Sequence, residues 1–252
     1  MDKTVLKAAA LIDALARSEE PRGITDLARE LGWTKSNIHR LLTSLASLGY
    51  VRRDAKASRY GLGLKFWEIG TLVVSRLNLK TVAQPYLRTL CEKTGETVHL
   101  SMFDNDHVVY IDQVESLHPI RAYSRVGGIG PVHCTATGKT MLSFLPPEVF
   151  ARLPDKLYRF TPRTIVSKRE LQRALKAGRA NGFAMNREEW RLGVSGIAAT
   201  IFNSQGEVMG AVGISGPTNR LNDATRRRLA PVVVQTAQRI SKELGYQTPP
   251  AA

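Results

Sequence analysis

Apolar residues recur at three- and four-residue spacing over the first 48 positions. Val5, Ala8, Ala9, Ile12, Leu15 and Ala16 mark a first helix, closed by Pro21 and Gly23. Thr25, a capping residue, opens a second helix to Leu31, and Gly32-Trp33 makes a tight turn. Thr34 caps a third helix to about Leu48, stopped by Gly49. On that helix Ile38, Leu41, Leu42, Leu45 and Leu48 share one face, and Ser36, His39, Arg40, Thr43 and Ser47 share the other, with Lys35 and Asn37 beside the first turn. Residues 50–53 and 59–62 then read as two strands around the turn 54–58.

LKFWEIGTLVVSRL, residues 64–77, predicts a helix more apolar than a lone surface helix needs. Asn78 is placed to cap a further helix to Thr94, with Pro85 inside it. From Gly95 the period shortens. Thr97–Phe103, Val108–Val114 and Ile120–Val126 are expected as strands, followed by helices over Ala136–Phe144 and Lys168–Ala180. Phe183–Arg187, Gly193–Phe202 and Glu207–Ser215 complete the strands, the last two joined by the turn Asn203-Ser204-Gln205-Gly206. A closing helix spans about Asp223 to Leu244, and QTPPAA reads as a disordered tail.

The pattern predicts an α+β chain: residues 1–63 as a helical unit with a two-stranded wing, 64–78 as a linker helix, 79–246 as a strand-rich domain and 247–252 as the tail. At 252 residues there is length for two modest domains. No apolar run approaches a membrane span and the charged N-terminus lacks a signal-peptide core, so a cytoplasmic location and no membrane partner are expected. Two cysteines, Cys91 and Cys134, and five scattered histidines leave no metal-ligand spacing, so neither a metal nor another cofactor is expected.

The net charge of +14 favours anionic partners. In the first 63 residues it coincides with a shape that suits duplex DNA. A helix that turns one face to a core and a polar, partly cationic face outward fits the major groove, where side chains reach base edges. Lys35, Ser36, Asn37, His39 and Arg40 are the candidate base readers, with Arg40 suited to guanine and Asn37 to adenine. Arg53, Lys56 and Arg59 of the wing are candidate phosphate contacts. The same unit also suits protein docking with a merely solvated polar face.

PVHCTATGKT, residues 131–140, ends like a phosphate-binding loop, but His133 stands where the first glycine is required. Lys139 is therefore expected on a helix surface or in an ion pair, and Cys134 as a packing residue rather than a nucleophile. No paired carboxylates and no Gly-flanked serine suggest catalysis. A metabolic enzyme whose N-terminal helices only dimerise is the competing class.

DLARELGWTKSNIHRLLTSLASLGYVRRD resembles the DNA-binding domain of the IclR family of bacterial transcriptional regulators. LGLKFWEIG looks like that family's linker helix. TGETVHLSMFDNDHVVYIDQVES, RVGGIGPVHCTATGKTML and LGVSGIAATIFNSQGEVMGAVGISGP are similar in order and spacing to its effector domain. The resemblance implies a winged helix-turn-helix domain and a GAF/PAS-like antiparallel sheet flanked by helices, with a ligand cavity on one sheet face. By family position, Ala136, Thr137, Asn186, Gly196, Gly213 and Ser215 are expected at the effector; chemistry adds Met102, Tyr110, Arg121, His133 and Glu188. Arg121 has the fork geometry for a carboxylate. Asn37 and Ser195-Gly196 depart from residues common in the family. The implied partners are a double-stranded DNA operator, a small organic acid or aromatic compound, and further copies of the chain as a homodimer or homotetramer, with repression the family's habit.

Overall fold

The computed structural model describes residues 2–54, 58–75, 78–122 and 124–247, without the side chains of residues 71–75 and 78. The chain forms two compact units, Met1–Leu77 and Asn78–Ala252. Lys56 of the wing lies outside the described residues, as does the predicted tail from residue 248.

The first unit runs α1 (Lys3–Ala16), α2 (Ile24–Leu31), α3 (Lys35–Ser47), β1 (Val51–Asp54), β2 (Arg59–Leu62) and α4 (Lys65–Ser75). Leu11, Leu15, Leu27, Ile38, Leu42 and Tyr60 form its core, which explains the apolar spacing of all three leading helices. Thr34 caps α3 by accepting from the Asn37 N–H. Gly32 and Gly49 end α2 and α3 with φ of +68° and +80°, values that favour glycine. Two expectations fail here. Gly23, not Thr25, caps α2. Leu48 follows the last turn of α3 and is exposed, because the chain has already left the helix where the apolar face would carry it inward.

The second unit continues with α5 (Asn78–Thr94), β3 (Thr97–Asp104), β4 (His107–Val114), β5 (Ile129–Pro131), α6 (Ala136–Leu142), α7 (Pro147–Ala151), α8 (Lys168–Asn181), β6 (Ala184–Arg187), β7 (Val194–Phe202), β8 (Val208–Pro217) and α9 (Asp223–Glu243). The strands form one antiparallel sheet ordered β5-β4-β3-β8-β7-β6. One sheet face, through Val98, Leu100, Ile197, Ile201, Val212 and Ile214, packs on Leu79, Leu87, Leu90, Leu229, Val233 and Ile240 of α5 and α9. The other face packs on Met141, Leu142, Leu171 and Leu175 of α6 and α8. Sheet alternation thus decides which layer each strand residue meets.

No strand forms over the described residues of 120–126. That stretch bends and turns, closed by the Gly128 N–H donating to the Arg125 carbonyl and the Gly127 N–H to that of Tyr110, and the edge strand forms later, at β5. Of its apolar residues Ala122 is buried, but Ile120 and Val126 are exposed, so no continuous inward face forms. Among the described residues no helix is long and apolar enough to cross a membrane.

Candidate functional site

In the first unit, the leucines of α3 point inward and leave Lys35, Ser36, His39, Arg40, Thr43 and Ser47 exposed. Asn37 is half-buried at the cap. Thr43 and Ser44 donate to the carbonyls of His39 and Arg40, which ties down the polar side of the helix. Trp33 packs against the core with the Lys7 ammonium 5.5 Å from its ring, a packing role. In the wing, Arg53 and Arg59 are exposed; Arg53 lies over Tyr60, and Arg59 donates to the Pro21 carbonyl at 3.3 Å. The Arg22–Tyr60 bridge fastens β2 to the loop after α1. All described base and phosphate candidates therefore stand on the solvent side of one small core.

In the second unit, the sheet face opposite α5 and α9 carries a cavity of about 50 Å³. Its walls come from β3 (His99), β4 (Tyr110), β6 (Asn186), β7 (Gly196) and β8 (Gly213, Ser215), from Thr135 to Thr137 at the start of α6, and from Ala122, Ser124, Trp190 and Arg191 in loops. Cross-strand register assembles the floor: His99 lies opposite Gly213, Ser215 opposite Gly196, and Gly196 opposite Asn186. Gly213 is demanded by close approach, since a Cβ there would sit 2.8 Å from that of Ala198.

An aromatic series lines the cavity. His99 and Tyr110 have ring centres 5.3 Å apart, Tyr110 stacks on Trp190 at 6.4 Å, and the Arg191 guanidinium lies 4.3 Å from the Trp190 ring. Burial lowers the His99 pKa to about 4 and pushes the Tyr110 phenol up to about 12. At neutral pH the imidazole is uncharged and the phenol keeps its proton. Arg191 is then the one formally charged side chain among the described lining residues.

The loop bearing Trp190 and Arg191 is anchored from α6. Lys139 Nζ donates to both carboxylate oxygens of Glu189 at 2.6 Å, and both side chains are nearly fully buried. The Glu189 N–H donates to Asn186 Oδ1, and its carbonyl accepts from Thr164. Burial pulls the Lys139 pKa down, opposed by Glu189. Lys139 therefore belongs to a buried ion pair, and Gly138 to tight packing: a Cβ there would lie 2.2 Å from the Val132 carbonyl oxygen. Cys134 is fully buried, and burial pushes its thiol pKa up.

Tyr110, Ala136, Thr137, Asn186, Gly196, Gly213 and Ser215 thus come together around one space. Four candidates stand elsewhere. Met102 alternates onto the opposite sheet face and joins the core under α5 and α9. Arg121 is engaged by Glu115 through Nε at 3.1 Å and Nη2 at 2.9 Å. His133 donates from Nε2 to the Tyr158 carbonyl and packs on Phe160. Glu188 pairs with Arg163 at 3.2 Å. His99, Ser124, Trp190 and Arg191 are the polar and aromatic lining residues, besides Thr135, that sequence reasoning missed. His99 had a signal: Thr97, His99 and Ser101 put polar groups on alternate positions of an otherwise apolar buried strand.

Comparison with known proteins follows this division. Residues 4–55 match the IclR helix-turn-helix domain, and residues 71–242 match the bacterial transcriptional regulator IclR C-terminal domain. The chain is 33% identical over 249 residues to the HTH-type transcriptional regulator KdgR of Dickeya chrysanthemi, covering 98% of this chain and 81% of that protein. It is 32% identical over 239 residues to the transcriptional repressor IclR of Escherichia coli, covering 93% and 87%. The crystal structure of the Thermotoga maritima IclR superposes with a TM-score of 0.77 at 31% identity, covering 96% of this chain and 99% of that one. With an exposed helix-turn-helix face in one unit, a sheet cavity in the other and both family domains matched in order, this chain belongs to the IclR family of bacterial transcriptional regulators and is not an enzyme.

Proposed function

We propose that this regulator is a repressor in the cytoplasm that binds a pseudo-palindromic operator as a dimer or dimer of dimers and answers to a small organic acid or aromatic compound in the sheet cavity. The observation that carries this reading is the outward polar face of α3, with Arg40 and His39 exposed above a leucine core. The N-terminal residues of such a helix reach base edges when it enters the major groove. Exposed Arg53 and Arg59 supply salt-dependent phosphate contacts. Trp67 on α4 is 75% exposed, and Val5, Leu6 and Leu64 are also exposed, apolar surface that suits association with a second copy. Arg191, the one formally charged side chain among the described lining residues, favours an anionic ligand.

Ligand binding regulates DNA affinity only to the extent that the ligand prefers one of two states of the protein. The test is fluorescence anisotropy on a duplex carrying the operator. Arg40→Ala is expected to weaken binding to that duplex by about 1–3 kcal/mol and to scrambled DNA by much less. Equal loss on both duplexes would reduce Arg40 to a phosphate contact and remove the assigned reading of guanine.

A further inference from the structure

We propose that the cavity takes a hydroxy acid and that Ser215 reads the ligand's hydroxyl as a hydrogen-bond acceptor, a role imposed on it from the exposed Arg121–Glu115 ion pair. This rests on the effector reading above and names the ligand's chemistry. The observation behind it is an unbroken series of side chains. Arg121 donates twice to Glu115 Oε2. Gln113 Nε2 donates to Glu115 Oε1 at 3.3 Å. Ser124 Oγ donates to Gln113 Oε1 at 2.7 Å, and it lies 2.9 Å from His99 Nδ1. His99 Nε2 lies 2.5 Å from Ser215 Oγ, which lines the cavity.

Each proton in this series follows from the one before. A carboxylate only accepts, so the Gln113 amide must turn its N–H₂ to Glu115 and its carbonyl to Ser124. Ser124 must then give its proton to Gln113 and accept from His99 Nδ1–H. Burial holds His99 neutral, with its pKa near 4, so Nε2 carries no proton. Ser215 must give its proton to that nitrogen. What Ser215 offers the cavity is an oxygen lone pair.

A ligand group facing Ser215 therefore has to donate. A keto or carboxylate oxygen there would set acceptor against acceptor and leave the Ser215 lone pair without a donor. A carboxylate is served instead by the Arg191 side of the cavity and the protonated Tyr110 phenol. A hydroxyl and a carboxylate on one small molecule satisfy both ends.

The polarity is reversible by surface chemistry alone. Glu115→Lys with Arg121→Glu keeps an ion pair between two exposed positions but puts a donor against Gln113. The amide then flips, Ser124 donates to His99 Nδ1, His99 carries its proton on Nε2, and the Ser215 hydroxyl is released to donate into the cavity.

Two readouts on the full chain test this. In ¹⁵N-histidine NMR, with His99 assigned by loss of its signal in His99→Gln, the natural sequence is expected to show a protonated Nδ1 and a bare Nε2, and the charge-swapped variant the reverse. In calorimetric titration, lactate is expected to bind the natural sequence at least about tenfold more tightly than pyruvate, its matched keto acid. The swapped variant is expected to lose that preference. A protonated Nε2 in the natural sequence overturns the proposal, and so does pyruvate binding as well as lactate while both bind. Binding of neither acid overturns it together with the organic-acid reading of the cavity.

Discussion

Lys139→Met is expected to destabilise the effector unit by about 3–5 kcal/mol, measured as a fall in the urea midpoint at pH 7. The ammonium and the Glu189 carboxylate are 5% and 7% exposed, so removing the lysine strands a negative charge where water cannot reach it. The double change Lys139→Met with Glu189→Leu removes both charges and is expected to recover most of the loss. A single change that costs under about 1 kcal/mol, or a double change as damaging as the single, would show that the pair does not hold the structure. The functional consequence follows from where Glu189 sits. It precedes Trp190 and Arg191, so a loosened pair frees the cavity wall that carries the Arg191 charge.

Acid is expected to weaken the same unit through His99. An unfolded histidine takes up a proton near pH 6.5, whereas buried His99 does so only near pH 4. Between those values the unfolded chain binds more protons, so stability falls as pH falls. The full contribution is present above pH 6.5, and about 3 kcal/mol of it is lost by pH 4. His99→Gln removes the titration. The difference in unfolding free energy between natural sequence and variant is therefore expected to shrink across that window. A difference that stays constant from pH 7 to pH 4 would contradict the burial of a neutral imidazole.

How far the sequence carried each feature depended on how local its cause was. The amphipathic pattern of α3 and the capping Thr34 are written within 14 consecutive residues, so the exposed polar face was legible apart from Asn37, which lies half-buried at the cap. Gly213 and Ser215 were reached through family position and Tyr110 through its chemistry, and strand alternation is what sets all three on the cavity side of the sheet. It separates Met102 from His99, three positions earlier, because an odd step crosses to the other side of the sheet. Arg121 read as a ligand clamp because an arginine fork suits any carboxylate; the one it meets is Glu115, six residues back. Trp190 and Arg191 left no periodic signal. They reach the cavity because Lys139, fifty residues earlier, grips the glutamate beside them. The bends over the described residues of 120–126 defeated a strand assignment based on apolar content, since Ile120 and Val126 are exposed.

Sequence reading by the outer face of α3 leaves a signature in which duplexes the protein retains. Selection of bound duplexes from a randomised pool by the full chain reads that signature. An enriched pseudo-palindrome is expected, its half-sites about one helical turn, ~10 base pairs, or a multiple apart, and the enrichment is expected to disappear when Arg40 and Asn37 are both replaced by alanine. Recovery of the same sequence by that double variant, or of no sequence at all by the natural chain, would contradict sequence reading by α3.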